Sequence, residues 1–372
     1  MKEVFSKALN KSIAIDRSIG ILKGAQQGPS VIFLAGMHGN EPSGVFALKQ
    51  VFELLEQSNV ALKGNLYALA GNLTALKSGA RYHRQDLNRL WTTSRVLRLK
   101  SGELDIEDED VVQQQELYSC IKEILEDDQG PFYFMDLHST SCETLPFIVL
   151  NDSLLNRKFT LQYPLPMILG IEEYLEGPLL SYINELGYVA FGFEAGQHDA
   201  LSAIENHEAF IMLSLVFCGC IDADDIDFTR YFEQLAKPTP EIRHFFEIFF
   251  LHKIEEGETF QMMPGFRNFQ IIKSGQKLAV SNRKNIFAAR NARLFMPLYQ
   301  TQGSEGYFLI RKVPLFFLNL SKLIRKLRLD WMLPLLPGIS WVSKSREILK
   351  VNRHIAIIFT KQIFHLMGYR SK

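Results

Sequence analysis

The chain has 372 residues, 47% of them apolar, with 41 basic and 41 acidic side chains, enough material for one large core or two ordinary ones. A neutral chain with 12% aromatic residues can repay the entropy of ordering, so bulk disorder is excluded, as are collagen-like, coiled-coil and disulfide-scaffold classes. Residues 313–372 nevertheless hold 11 Lys/Arg against Asp330 and Glu347, leaving 30 basic and 39 acidic side chains, or −9, for the rest. That balance argues against a nucleic-acid binder. Cys120, Cys142, Cys218 and Cys220 form no disulfide framework and read as buried thiols in a cytoplasmic setting.

The first 20 residues lack the apolar core of a signal peptide and read as a short amphipathic start. Val31 to Ala35 predicts a buried strand ending in a Gly-bearing turn, and 44–57 an amphipathic helix. A second strand over 64–72 leads into a polar loop, TALKSGARYHRQDLNRLW. The EDED run at 107–110 reads as a solvated turn before a helix that continues through Leu125. Strands are expected at 131–140, in TLPFIVLN and at 188–196, with LLSYINEL helical between the last two. HEAFIMLSLVFCGCI reads as a buried helix, and its apolar run from Ala209 to Ile221, 13 residues, is too short to span a bilayer. Alternating strands and helices imply an α/β sheet flanked by helices, with its chemistry at the C-terminal ends of the strands. After Lys237-Pro238-Thr239-Pro240 the pattern changes to short β-like runs. The expected division is therefore 1–237 for a catalytic domain, 241–312 for a smaller β-rich domain, and 313–372 for a basic amphipathic helical tail.

Two polar clusters stand at predicted strand ends. His38-Gly-Asn-Glu41 puts an imidazole and a carboxylate in one turn, and Asp136-Leu-His138 adds a second histidine. Two His and one Glu form a ligand set for catalytic Zn²⁺, which keeps a position open for water. Glu194 follows an apolar run, YVAFGFE, where desolvation raises a carboxyl pKa and suits a general base.

With GMHGNEPSG (36–44), GNLTALKSGARYHRQDLNRLW (71–91), DLHST (136–140) and FGFEAG (191–196) in this order, the sequence resembles the succinylglutamate desuccinylase/aspartoacylase family of the zinc-carboxypeptidase-like fold. The resemblance spans roughly residues 30–312. It implies one zinc per chain on His38, Glu41 and His138, and Glu194 as the base that activates water. It further implies Arg81 as the group that polarises the scissile carbonyl, Asn88 and Arg89 as a grip on a substrate carboxylate, and Tyr307 as a substrate contact from the β-rich part. Guanidinium forks suit both arginine roles. Asp86 reads as an orienting partner of Arg81 or Arg89, or as a loop cap. Asp136 shares a face with His138 without having to bond it. His198 and Asp199 read as a solvated loop, with lining of the pocket as the alternative, and His83 and Arg84 as loop surface.

Two departures from the family pattern stand out, the first costing a rigid turn residue but no chemical group, the second bearing on substrate. Gly71-Asn72-Leu73 replaces the family's Gly-Asn-Pro, and residues 159–229 contain no Lys or Arg, so a second carboxylate clamp from that stretch is missing. In the tail, Leu315 to Leu329 alternates apolar and basic positions at helical spacing, with Trp331 and Trp341 nearby. It reads as an element lying on a membrane interface, at the inner face in a cytoplasmic protein, or packed on the acidic body or a second subunit. The expected activity is hydrolysis of the amide in a small, carboxylate-bearing N-acyl compound. A carboxypeptidase-type peptidase acting on peptide or cell-wall fragments, and a non-catalytic membrane-associated binding protein, are the alternatives.

Overall fold

The computed structural model describes residues 1–327 apart from 59, 240, 241 and 243, and beyond them residues 333, 335, 339–341, 349–351, 365 and 367. A hairpin of β1 (Lys2–Ser6) and β2 (Lys11–Ile15) precedes β3 (Ser18–Lys23), β4 (Gln26–Ala35), α1 (Ser43–Gln57) and β5 (Lys63–Ala70). The short helix α2 (Leu73–Ser78), α3 (Thr93–Lys100) and α4 (Glu109–Asp127) lead to β6 (Phe132–Thr140) and β7 (Phe147–Leu150). Next come α5 (Leu154–Thr160), β8 (Met167–Leu169), α6 (Leu179–Glu185), β9 (Val189–Gln197), α7 (Leu201–Cys218) and α8 (Phe228–Ala236). The β-rich segment holds β10 (Phe245–Lys253), β11 (Phe260–Met262), β12 (Ile271–Ile272), β13 (Lys277–Ser281), β14 (Lys284–Phe287), β15 (Ala292–Phe295) and β16 (Glu305–Lys312). α9 (Leu315–Lys326), β17 (Ile339–Trp341) and β18 (Leu349–Val351) belong to the tail.

Among the described residues, one 11-stranded mixed sheet carries the fold, in the order β12-β15-β16-β10-β8-β7-β9-β6-β4-β5-β3. Its centre, β9-β6-β4-β5, is parallel and covered on both faces, which is why these strands are near-continuous apolar runs. The two-residue period splits them. Val31, Phe33 and Ala35 face a core shared with α1 and α7, while Ile32 and Leu34 face one shared with α4 and α6. α7 is long and apolar enough by length and composition to cross a membrane, but it is largely buried against α1, α8 and the sheet, as a core helix must be when apolar all round.

The amphipathic start folds as β1, β2 and β3. Val4 and Ile15 are buried, and β3 closes the sheet edge antiparallel to β5. The β-rich segment is hydrogen-bonded onto the same sheet: β10 runs parallel to β8, and β16 pairs antiparallel with β10. An aromatic cluster of Phe147, Phe246, Phe269, Phe295 and Phe308 fills this junction. β11, β13 and β14 form a separate small sheet. The EDED run is more than a solvated turn. Asp108 caps α4 by accepting from the Asp110 N–H, and buried Asp110 accepts from the Gln85 N–H.

The tail helix α9 docks on the body through charge. Arg325 reaches Asp152 at 3.1 Å in a site where Arg157 also contacts Asp152, at 2.5 Å, and the Asp152 side chain is fully buried. Its outer face leaves Leu315, Phe316, Leu323 and Leu327 exposed beside Lys322 and Lys326. Trp331 and the side chain of Trp341 lie outside the described residues.

Candidate metal centre

Three strand ends converge on one point. His38 and Glu41 come from the turn after β4, His138 from the end of β6, and Glu194 from β9, where the register pairs it with His138. The turn depends on glycine. Gly36 adopts φ +71°, and a Cβ on Gly39 would lie 2.0 Å from the carbonyl group of Ala75, so the backbone can pass only without a side chain. Asn72, in the sequence GNL, caps α2 by accepting from the Ala75 N–H and holds that wall of the turn.

Both imidazoles face one carboxylate. His38 Nδ1 lies 2.8 Å from Glu41 Oε1, and His138 Nδ1 lies 2.9 Å from Glu41 Oε2. The other ring nitrogens meet carboxylates as well: His38 Nε2 to Asp86 at 3.1 Å and His138 Nε2 to Asp136 at 2.8 Å. An ionised carboxylate only accepts, so each Nε2 donates, and in the neutral rings both Nδ1 lone pairs then point at Glu41 oxygens. Lone pair against lone pair at these distances requires a cation between them, either a second proton on each ring or a metal ion. One donor atom from each of the three residues lies within 4.8 Å of the others. Tetrahedral zinc with bonds of roughly 2.0–2.2 Å places its ligands about 3.4 Å apart, so small adjustments suffice. Asp86 and Asp136 are the partners that orient metal-binding histidines elsewhere. The residues fit the group.

The local field is negative. Burial acts to raise the Glu41 pKa, but His38 and His138 outweigh it and hold this carboxylate well below its usual range. His138 is held well above its usual range, Asp136 and Glu41 overcoming the effect of burial. Glu194 behaves in the opposite sense. Desolvation, helped by the nearby Glu41 charge, pushes its carboxyl up to about 8, and its buried Oε2 has no hydrogen-bond partner. Two carboxylates a few residues' reach apart are thus driven to different protonation states, the pattern of acid–base sites.

Arg81 lies 3.5 Å from Glu41 and 3.3 Å from Asp86, with its backbone N–H held by Gln302. Asp86 does both things expected of it: it engages Arg81 and His38, and it caps the following turn by accepting from the Asn88 N–H. Asn88 Oδ1 accepts from the Leu179 N–H. Arg89 lines the same cavity, with its guanidinium paired to Glu305 at 3.1 Å and donating to the Asn88 carbonyl at 2.9 Å. Tyr307 is not brought to the cavity. β16 alternates, so Phe308 lines the cavity while Tyr307 stacks on His252 at 5.3 Å on the opposite face.

Asp136 does bond His138. His198 is part of the site rather than a solvated loop: it lines the cavity and meets Ser139 Oγ at 2.8 Å. Asp199 is an exposed partner of Lys7, and His83 and Arg84 are exposed. Residues absent from the sequence reading complete the rim: Ser139, whose N–H donates to Glu41, and Gln300, Gln302 and Glu305. Ser139 follows a candidate ligand directly, which is a signal. Gln302 and Glu305 lie more than 200 residues from the arginine loop they touch, and Gln300 lies 260 residues from Asn40, to which it is bonded, with no local pattern to mark them.

Residues 27–207 match the Succinylglutamate desuccinylase/Aspartoacylase catalytic domain. A succinylglutamate desuccinylase of Photorhabdus laumondii is 30% identical over 87 residues, 23% of this chain and 27% of that protein. Another, from Yersinia enterocolitica, is 37% identical over 62 residues, 17% of this chain and 19% of that protein. The matched segments thus span about a quarter or less of these relatives. The fold reaches further. The succinylglutamate desuccinylase/aspartoacylase of Rhodobacter sphaeroides superposes with TM-score 0.58 at 15% identity, covering 79% of this chain and 88% of that one. The product-bound ectoine utilization protein EutE (DoeB) of Ruegeria pomeroyi superposes with TM-score 0.56 at 15% identity, covering 78% and 87%.

Proposed function

We propose that the chain is a zinc-dependent hydrolase that cleaves the amide bond of a small N-acyl amino acid or related acyl compound. The observation that carries this reading is the pair of imidazole Nδ1 atoms converging on Glu41, with an unpartnered Glu194 oxygen buried in the same cavity. His38, Glu41 and His138 would hold the ion, which when bound polarises an amide carbonyl and acidifies water. Glu194 takes a proton from water and returns it to the leaving nitrogen, a role its raised pKa suits. Arg81, held between Glu41 and Asp86, supplies positive charge to the carbonyl oxygen as it becomes an oxyanion. Asn88 and Arg89 orient a substrate carboxylate. Asp86 and Asp136 keep both histidines in the ligating tautomer.

A small substrate is favoured over a peptide because Met296, Leu298, Gln300 and Phe308 of the β-rich segment wall one side of the cavity. Buried thiols at Cys142, Cys218 and Cys220 suit a reducing, cytoplasmic setting. For the tail, the Arg325–Asp152 pair supports packing on the chain's own body over a membrane or second subunit.

Elemental analysis together with an N-acyl amino acid hydrolysis assay tests the reading. Wild type should carry about one zinc per chain, and His138→Ala should lose it. Glu194→Gln should keep the metal and lose at least about 100-fold in kcat, the lower end of a general base's contribution. Wild type that takes up no metal on reconstitution would reject the mechanism.

A further inference from the structure

The cavity beside the metal ligands has a volume of about 160 Å³. Besides the polar centre, its lining holds an apolar set, Val149, Leu175, Leu180, Met296, Leu298 and Phe308, with Asn151 and Ser181 among them. β9 opens the cavity beside Val149 and Leu180 by omission, because Gly192 carries no side chain on the face that bears Glu194 two residues on. A Cβ there would sit 3.6 Å from Leu180 Cδ1 and 3.8 Å from the Val149 carbonyl, ordinary contacts, so a larger side chain would enter the cavity without backbone strain.

Charge points the same way. Among the described residues, Arg81 and Arg89 are the only Lys or Arg side chains lining the cavity. Each is already matched from within, Arg81 by Glu41 and Asp86, and Arg89 by Glu305. The facing wall comes from residues 171–194, part of a stretch, 159–229, that has no Lys or Arg. A substrate with two carboxylates would leave at least one unmatched in a desolvated site, at high cost. A group of about benzene size fits the volume, since a cavity of roughly 150 Å³ accommodates benzene.

We propose that the site takes an amide bearing an apolar substituent of about benzene size and at most one carboxylate, with Gly192 and Glu305 setting that preference. The proposal rests on the amide-hydrolase reading for the reaction, but not for the pocket. The test combines hydrolysis by the zinc-loaded full chain with calorimetric binding to its Glu194→Gln variant. The probes are N-benzoylglycine, N-hexanoylglycine, N-acetylglycine, N-acetylaspartate and N-succinylglutamate. The benzoyl and hexanoyl compounds should bind at least about tenfold tighter than the two diacids, in line with 10–200-fold per well-placed methylene. Gly192→Val should erase that advantage while N-acetylglycine binds as before. Glu305→Gln, which fills no space, should raise affinity for the diacids about tenfold relative to the apolar probes. Diacids preferred in both binding and hydrolysis, with no response to either substitution, would overturn the proposal and leave the hydrolase reading standing. Apolar binding sensitive to Gly192→Val without hydrolysis of any probe would do the reverse. Neither binding nor hydrolysis would remove both.

Discussion

His207 is a histidine for which the site has no use as a ligand. It sits on α7, fully buried against the edge of Phe193, and neither ring nitrogen has a hydrogen-bond partner. Desolvation, with the positive His138 ring nearby, lowers its pKa to about 3. Between that value and about 6.5, the unfolded chain binds a proton at this position that the folded chain refuses, so stability falls as the pH drops through this window. His207→Leu should remove the contribution. Urea melts of wild type and variant should show the variant's relative stability improving from pH 8 to pH 5; a constant difference would show that the ring is protonated in the fold. The same logic of burial separates Glu41 from Glu194, neighbouring carboxylates held at opposite ends of their range by two imidazoles in one case and an apolar strand in the other.

At the scale of elements, the turn after β4 depends on a glycine, and the helix α9 is anchored in part by a buried ion pair. The turn holding His38 and Glu41 passes α2 at Gly39 with no room for a methyl group. Gly39→Ala should therefore displace the turn, and bound zinc measured by elemental analysis should drop well below that of wild type. α9 is held by a buried guanidinium–carboxylate contact between Arg325 and Asp152. Arg325→Ala leaves Asp152 to Arg157, at a cost of about 1.5–3 kcal/mol for a charged hydrogen bond. Thermal melts should register that loss, and limited proteolysis should cut beyond residue 313 sooner than in wild type. Unchanged melting and cleavage would mean that the tail is held by other contacts. Strand alternation is an element-scale effect too: one residue separates Phe308 in the cavity from Tyr307 on the far face.

The whole molecule gathers His38, Glu41 and His138 from the ends of β4 and β6 and Glu194 from β9, three adjacent strands of one sheet, so a metal bound there would couple to the stability of the core itself. A ligand that binds only the folded state at about 100 times its Kd adds about 2.7 kcal/mol. Chelation should accordingly lower the melting temperature reversibly, and zinc should restore it. A melting temperature indifferent to chelator and zinc would contradict metal binding at His38, Glu41 and His138. The β-rich segment shares this frame, because β10 continues the sheet from β8 and delivers β16 and the loop before it to the cavity rim.

The chemistry-bearing strand ends are legible in the order of residues alone. His38, Glu41, His138 and Glu194 each follow a buried apolar run, and such runs, flanked by helices at 3–4 spacing, can only be covered strands with polar residues at their ends. The family motifs added Arg81, Asn88 and Arg89, which do line the cavity. Long-range packing fixed the rest. Pairing of β8 with β10 is a contact across some 80 residues of chain that no local period encodes, and it is what brings Gln300, Glu305 and Phe308 to the cavity lined by His38, Glu41 and His138. The same long-range packing drew His198 into the cavity, sent Tyr307 away from it, and placed Glu305 against Arg89. Hydrophobic periodicity reports which face of an element is buried; it does not report against what.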